Sequence, residues 1–184
     1  QRQMCIRDSN GIYLHFSDAN NLTAVATDGH RLALSRMQSP AGAETMPAVI
    51  VPRKAVSELR KLLDGESQEV DVQLSETRAE FCVGDIRLTT KLIDGSFPDY
   101  KRVIPEGNDK IVSIDVNLLS AAVDRVSTIA SDKSRAIKFN ISASQIVLSA
   151  TNPDASSATE MLEIDYAGEP IDIGFNAKYL IDIL

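Results

Sequence analysis

AVIVPRKAVSELRKLL (residues 48–63) changes period in its middle. AVIV (48–51) is a continuous apolar run short enough for a strand, and Pro52 closes it where a helix tolerates proline. From Arg53 the apolar positions Val56, Leu59 and Leu63 recur at helical spacing, and Gly65 supplies the stop. Three strand-like runs follow: EVDVQLS (69–75), RAEFCVG (78–84) and IRLTTKLI (86–93), the last two parted by the turn residues Gly84-Asp85. Strand, helix, three strands is the unit this stretch opens.

Working outward, the unit returns. KIVSID (110–115) reads as a strand and VNLLSAAVDRVSTIA (116–130) as a helix with Leu119, Val123 and Val126 in register. AIKFNIS (136–142), SQIVLSA (144–150) and SATEMLEIDY (157–166) are the next three strands. IDIGF (171–175) with the helix NAKYLIDIL (176–184) opens a third copy, in which Lys178 takes the place Lys54 has in the first. The period is roughly 60 residues, and residues 11–37 supply three strands that end an earlier copy. Short turns and a threefold excess of strands predict an α+β fold with antiparallel sheets covered by helices on one face. DGSFPDYKRVIPEGND (94–109), punctuated by Pro and Gly, reads as a structureless connection between two domains.

At the ends the pattern fails. QRQMCIRDS (1–9) lacks the alternation that begins at Gly11 and reads as a disordered or foreign segment. NAKYLIDIL stops in mid-helix without a Gly or Asn cap, the expectation for a piece of a longer protein.

A net charge of -7 speaks against coating nucleic acid through bulk positive charge. Scarce aromatics and the absence of Trp speak against a sugar site or a base-stacking platform. Cys5 and Cys82 show neither metal spacing nor a disulfide framework, and suit a reducing cytoplasm. No apolar run approaches the roughly 18 residues of a membrane span, so no membrane partner is expected. The cations are nevertheless clustered. Arg53, Lys54, Arg60 and Lys61 stand against Glu58 alone, and Arg125, Lys133 and Arg135 against Asp124 and Asp132. Both a solvated helix face and a phosphate-facing helix layer account for this pattern.

TAVATDGHRLALSRM (23–37) reads as a hairpin, with Asp28-Gly29 at its turn and His30 and Arg31 directly after. As an enzyme site this is poor. His15 and His30 are the only histidines, too few for a histidine metal centre, and no nucleophile elbow, zinc motif or nucleotide-binding glycine loop occurs. Cys82 lies in an apolar run as packing. No catalytic residue, metal or cofactor is therefore expected. A binding site fits better: Gly29 lets a backbone approach, Leu32 is an apolar wall beside Arg31, and Pro98 and Val103 lie near Arg102. Apolar walls rimmed by Arg suit a peptide with Leu or Phe anchors and acidic residues.

ATDGHRLA (26–33), VIVPRKAV (49–56), KLIDGSFPDYKRVIP (91–105) and IGFNAKYLIDIL (173–184), in this order, resemble the bacterial DNA polymerase III beta subunit family, the sliding clamps. The resemblance runs from Gly11 to Leu184 and implies the DNA-clamp fold: three similar domains per chain, two chains closing head to tail into a homodimeric ring around duplex DNA. It implies a partial middle domain over 10–95, a connection over 96–104 and a last domain over 105–184, truncated at its C-terminal end. It implies a processivity factor of replication in the cytoplasm, which holds double-stranded DNA without reading sequence. The polymerase catalytic subunit, the clamp loader and other proteins with clamp-binding motifs would dock in one pocket. That pocket would comprise Thr27, Gly29, His30, Arg31, Leu32, Pro98, Arg102 and Val103, and the DNA-facing groups would be Arg53, Lys54, Lys61, Arg125, Lys133 and Arg135. The alternative is a non-catalytic peptide-binding module that has lost encirclement.

Overall fold

A computed structural model describes residues 11–17, 20–63, 69–130, 135–153 and 156–184. The chain divides into two compact units, residues 1–104 and 105–184.

In the first unit β1 (Gly11–Ser17), β2 (Asn21–Thr27), β3 (Leu32–Gln38) and β4 (Val49–Pro52) form one sheet in the order β3-β2-β1-β4. All its pairings are antiparallel. The strand of the opening stretch thus joins the three strands before it rather than the three after it. Gly11 is required at the β1–β4 seam, because a Cβ there would lie 2.6 Å from the Val51 carbonyl oxygen. Helix α1 (Arg53–Leu62) follows β4 at once, with Pro52 as its N-cap. It buries Ala55 and packs Val56 and Leu59 on Val49, Val51, Phe81 and Leu92. A second sheet, β5 (Asp71–Leu74), β6 (Arg78–Val83) and β7 (Ile86–Lys91), is antiparallel in sequence order. After β7 the chain returns to the first sheet, where the Ile93 amide donates to the Ile50 carbonyl at 2.9 Å. The connection is not structureless: Tyr100–Val103 form a 3₁₀ turn and Tyr100 is buried.

In the second unit helix α2 (Val116–Ser127) is capped by Asp115, whose carboxylate accepts from the Asn117 and Leu118 amides at 2.9 and 3.0 Å. Strands β8 (Ala136–Ser142), β9 (Gln145–Thr151), β10 (Ser157–Glu163) and β11 (Ile171–Asn176) follow. They form one antiparallel sheet in the order β10-β9-β8-β11. Alternation along β8 and β9 turns Ile137, Phe139, Ile141, Ile146 and Leu148 into a core with Val123 and Val126 of α2. The topology repeats that of the first sheet, since β11 pairs with β8 as β4 pairs with β1.

Three further expectations from the sequence are corrected. Residues 110–115 are not a strand. Ser113 makes one isolated bridge to Asp165, Val112 and Ile114 rest on the core, and Ile111 is exposed; apolar alternation does not make a strand without a neighbour to complete a ladder. Helix α2 ends at Ser127, three residues short, where Ser127 and Thr128 turn their hydroxyls back onto the Asp124 and Arg125 carbonyls. Helix α3 covers only Ala177–Ile181: Asn176 is its N-cap and accepts from the Lys178 amide at 3.0 Å, and at the other end the Ile183 and Leu184 amides both turn onto the Leu180 carbonyl. Gly65, Lys133 and residues 1–9 lie outside the described residues.

Candidate functional site

The hairpin tip is organised around one carboxylate. Thr27 and Leu32 close the β2–β3 ladder, leaving Asp28, Gly29, His30 and Arg31 as the loop. Asp28 Oδ1 accepts from the His30 and Arg31 amides, each at 3.0 Å, and Oδ2 accepts from Arg31 Nε at 3.0 Å. The Thr27 hydroxyl donates to the Arg31 carbonyl at 2.8 Å and accepts from the Gly29 amide at 3.2 Å. These bonds are local, so six consecutive residues specify the loop. Partial desolvation pushes the Asp28 carboxyl up, but the three bonds and the Arg31 charge outweigh it and hold it below the usual carboxylate range. Gly29 has φ 84°, and a Cβ there would meet nothing within 4 Å. Within this chain the glycine answers a backbone angle, not crowding.

A second segment comes up to this loop through an aromatic ladder that the sequence did not reveal. Tyr13 stacks on Phe97, centroids 4.7 Å apart and planes at 6°, and on His15 at 4.9 Å. His15 Nε2 lies 2.9 Å from the Tyr100 hydroxyl. Tyr13 and His15 alternate onto one face of β1, directly opposite Val25 and Thr23 of β2, and those two residues are fully buried. Burial, with the Tyr100 charge as a smaller cause, pushes the Tyr13 phenol up.

Between the loop and this segment lies a cavity of about 330 Å³. The hairpin contributes Thr27, Asp28, Gly29, His30, Arg31 and Leu32; the segment contributes Pro98, Asp99, Tyr100 and Val103. Val103 is 68% exposed, an apolar side chain offered to solvent at the cavity's rim. Of the sequence-derived pocket residues, Arg102 alone is not among those lining it. Asp28, Asp99 and Tyr100 also line it, beyond the pocket residues expected from the sequence.

The basic residues differ among themselves. Arg53 and Lys54 are exposed in the first turn of α1, which has no acidic residue and no side-chain cap. Lys61 is exposed and paired with Glu58 at 3.0 Å. Arg125 is engaged by Glu160 of β10 through both guanidinium arms, Nε to Oε2 at 3.0 Å and Nη2 to Oε1. Asp124, expected from the sequence to oppose Arg125, adds a smaller electrostatic effect, and Asp132 lies outside the described residues. The paired hydrogen bonds lower the Glu160 carboxyl and raise the Arg125 guanidinium. Arg135 is exposed with φ 44°, and its carbonyl accepts from the Ala177 amide at 2.8 Å. Among the described residues no three His, Cys, Asp or Glu side chains gather as a metal site, and no helix is long and apolar enough to cross a membrane.

Residues 7–99 match the family model for the DNA polymerase III beta subunit central domain, and residues 101–184 match that for its C-terminal domain. The chain belongs to the DNA polymerase III beta subunit family. The beta sliding clamp of Caulobacter vibrioides is 49% identical over 177 residues, 95% of this chain and 48% of that relative. The Escherichia coli K12 beta sliding clamp is 40% identical, covering 91% of this chain and 46% of its own length. The chain therefore spans about half the length of the clamps it matches. Among solved structures, the Bartonella birtlesii DnaN sliding clamp bound to griselimycin superposes with a TM-score of 0.92 at 49% identity. That match covers 96% of this chain and 48% of the Bartonella one. The antiparallel sheets with few helices are those of the clamp fold.

Proposed function

We propose that this chain serves as part of a replication processivity clamp and that its hairpin cavity docks peptide segments of partner proteins. The observation that carries this reading is the cavity itself: a self-organised loop faces Pro98 and Val103 on a segment about 70 residues further along the chain, leaving room for roughly a Leu and a Phe side chain together. Leu32, Pro98 and Val103 supply apolar wall, and Arg31 stands at the edge to meet an acidic residue of the peptide. The partners would be the polymerase catalytic subunit, the clamp loader and other proteins bearing the same kind of motif.

Clamp membership also supports a role on duplex DNA within a homodimeric ring, in the cytoplasm, with no reaction of its own. Phosphates would be met without base contacts, since base-specific bonds would oppose sliding. Arg53 and Lys54 suit that task best. They sit where the α1 dipole already favours an anion and where no side chain satisfies the first amides. Lys61, Arg125 and Arg135 are secondary, Lys61 and Arg125 because each must leave a carboxylate partner; Lys133 is carried over from the family resemblance alone.

The test is a fluorescence titration of a labelled peptide with adjacent Leu and Phe and one acidic residue. Leu32→Ala should weaken binding by about 1–2 kcal/mol, and Gly29→Trp should block the cavity. Equal affinity of wild type and both variants would place the docking site elsewhere.

A further inference from the structure

The cavity's second wall has no regular strand or long helix to hold it. Pro98, Asp99 and Val103 are exposed, and the bond that opens the 3₁₀ turn, from the Arg102 amide to the Asp99 carbonyl, is long at 3.4 Å. Two ring contacts tie this segment to the sheet, Phe97 on Tyr13 just before it and Tyr100 on His15 within it. The His15 bond has a defined direction. Its Nδ1 lies 3.1 Å from the Phe16 carbonyl, which only accepts, so Nδ1 carries the hydrogen. Nε2 of the neutral ring is then an acceptor, and the Tyr100 hydroxyl donates to it at 2.9 Å. Tyr100 is 7% exposed and lines the cavity, and its hydroxyl is bonded to His15.

We propose that His15 is a positioning residue for the peptide cavity: by accepting from the Tyr100 hydroxyl while stacked on Tyr13, it holds the Pro98–Val103 wall opposite the hairpin loop. His15 does not itself line the cavity. The inference rests on the docking role proposed above, because it assigns His15 to that site's shape. A binding cavity with one self-organised wall and one wall hung on two ring contacts depends on those contacts for its affinity, since a wall that drifts must be ordered again on binding.

The experiment compares wild type, His15→Phe, Tyr100→Phe, the double variant, His15→Gln and Leu32→Ala. Each is titrated with the labelled Leu-Phe peptide, and amide exchange of residues 100–103 is followed without peptide. His15→Phe keeps a ring on Tyr13 and removes the acceptor; His15→Gln places an acceptor near the former Nε2. His15→Phe and Tyr100→Phe should each weaken binding about three- to tenfold, with the double variant no weaker than either single one. His15→Gln should recover most of the loss, which a merely space-filling role for His15 would not produce. Exchange at residues 100–103 should accelerate in His15→Phe. If Leu32→Ala weakens binding while His15→Phe does not, the positioning role is wrong and the docking reading stands. If wild type binds no peptide, the docking reading is wrong, and unchanged exchange in His15→Phe would overturn the positioning role as well.

Discussion

Asp28 carries the hairpin loop with a single side chain. Two amides and the Arg31 guanidinium converge on it, so its ionised form is the one the fold selects. Its folded-state value is depressed, so its contribution is present above the unfolded carboxyl value and is lost as pH falls through the folded value. The carboxyl ¹³C shift of Asp28 followed against pH should give a midpoint below the ordinary aspartate value, with the His30 and Arg31 amide shifts moving together with it. A midpoint at or above that value would contradict the geometry. Beneath the ring ladder, Thr23 presents the opposite case. Its side chain is fully buried and its hydroxyl has no hydrogen-bond partner among the described residues. Thr23→Val removes that unsatisfied group at nearly constant volume and should raise stability by about 1 kcal/mol in denaturant unfolding. A decrease instead would mean the hydroxyl is satisfied in solution.

At the scale of elements, the two long helices begin differently. Helix α2 has Asp115 bonded to two of its first amides, whereas α1 begins behind Pro52 with two cations in its first turn. Asp115→Ala should therefore cost about 1 kcal/mol in thermal or denaturant unfolding; no change would mean that α2 is held by its Val123–Val126 face alone. The same contrast explains what was legible in the sequence. Helical spacing disclosed α1 and α2, and strict alternation disclosed β8, because each buries one face and the pattern records which; β9 was disclosed as a short apolar run, Ile146 to Leu148. Thr27 to Leu32 was legible because its bonds span at most four residues. Residues 110–115 misled because alternation reports a preference for two faces, while a strand also needs a partner whose position no local pattern encodes. Tyr100's seat on His15 was hidden for the same reason: 85 residues separate them, and nothing in either neighbourhood names the other.

Across the whole molecule, 26 acidic residues outnumber 19 basic ones, yet α1 sets Arg53, Lys54, Arg60 and Lys61 against one glutamate. On the proposed clamp role, this basic helix is where a polyanion would be drawn. The most direct test of the clamp account is topological. A chimera in which residues 11–184 replace the matching region of the Caulobacter vibrioides clamp is loaded onto nicked circular duplex, with the parent clamp as control. The chimera should stay on the circle through gel filtration and leave when the circle is cut. Lys54→Glu with Lys61→Glu should shorten its stay and flatten the dependence of log K on log salt by about 0.9 for each phosphate no longer neutralised. Equal retention on circular and linear DNA would contradict encirclement by a ring built with this chain.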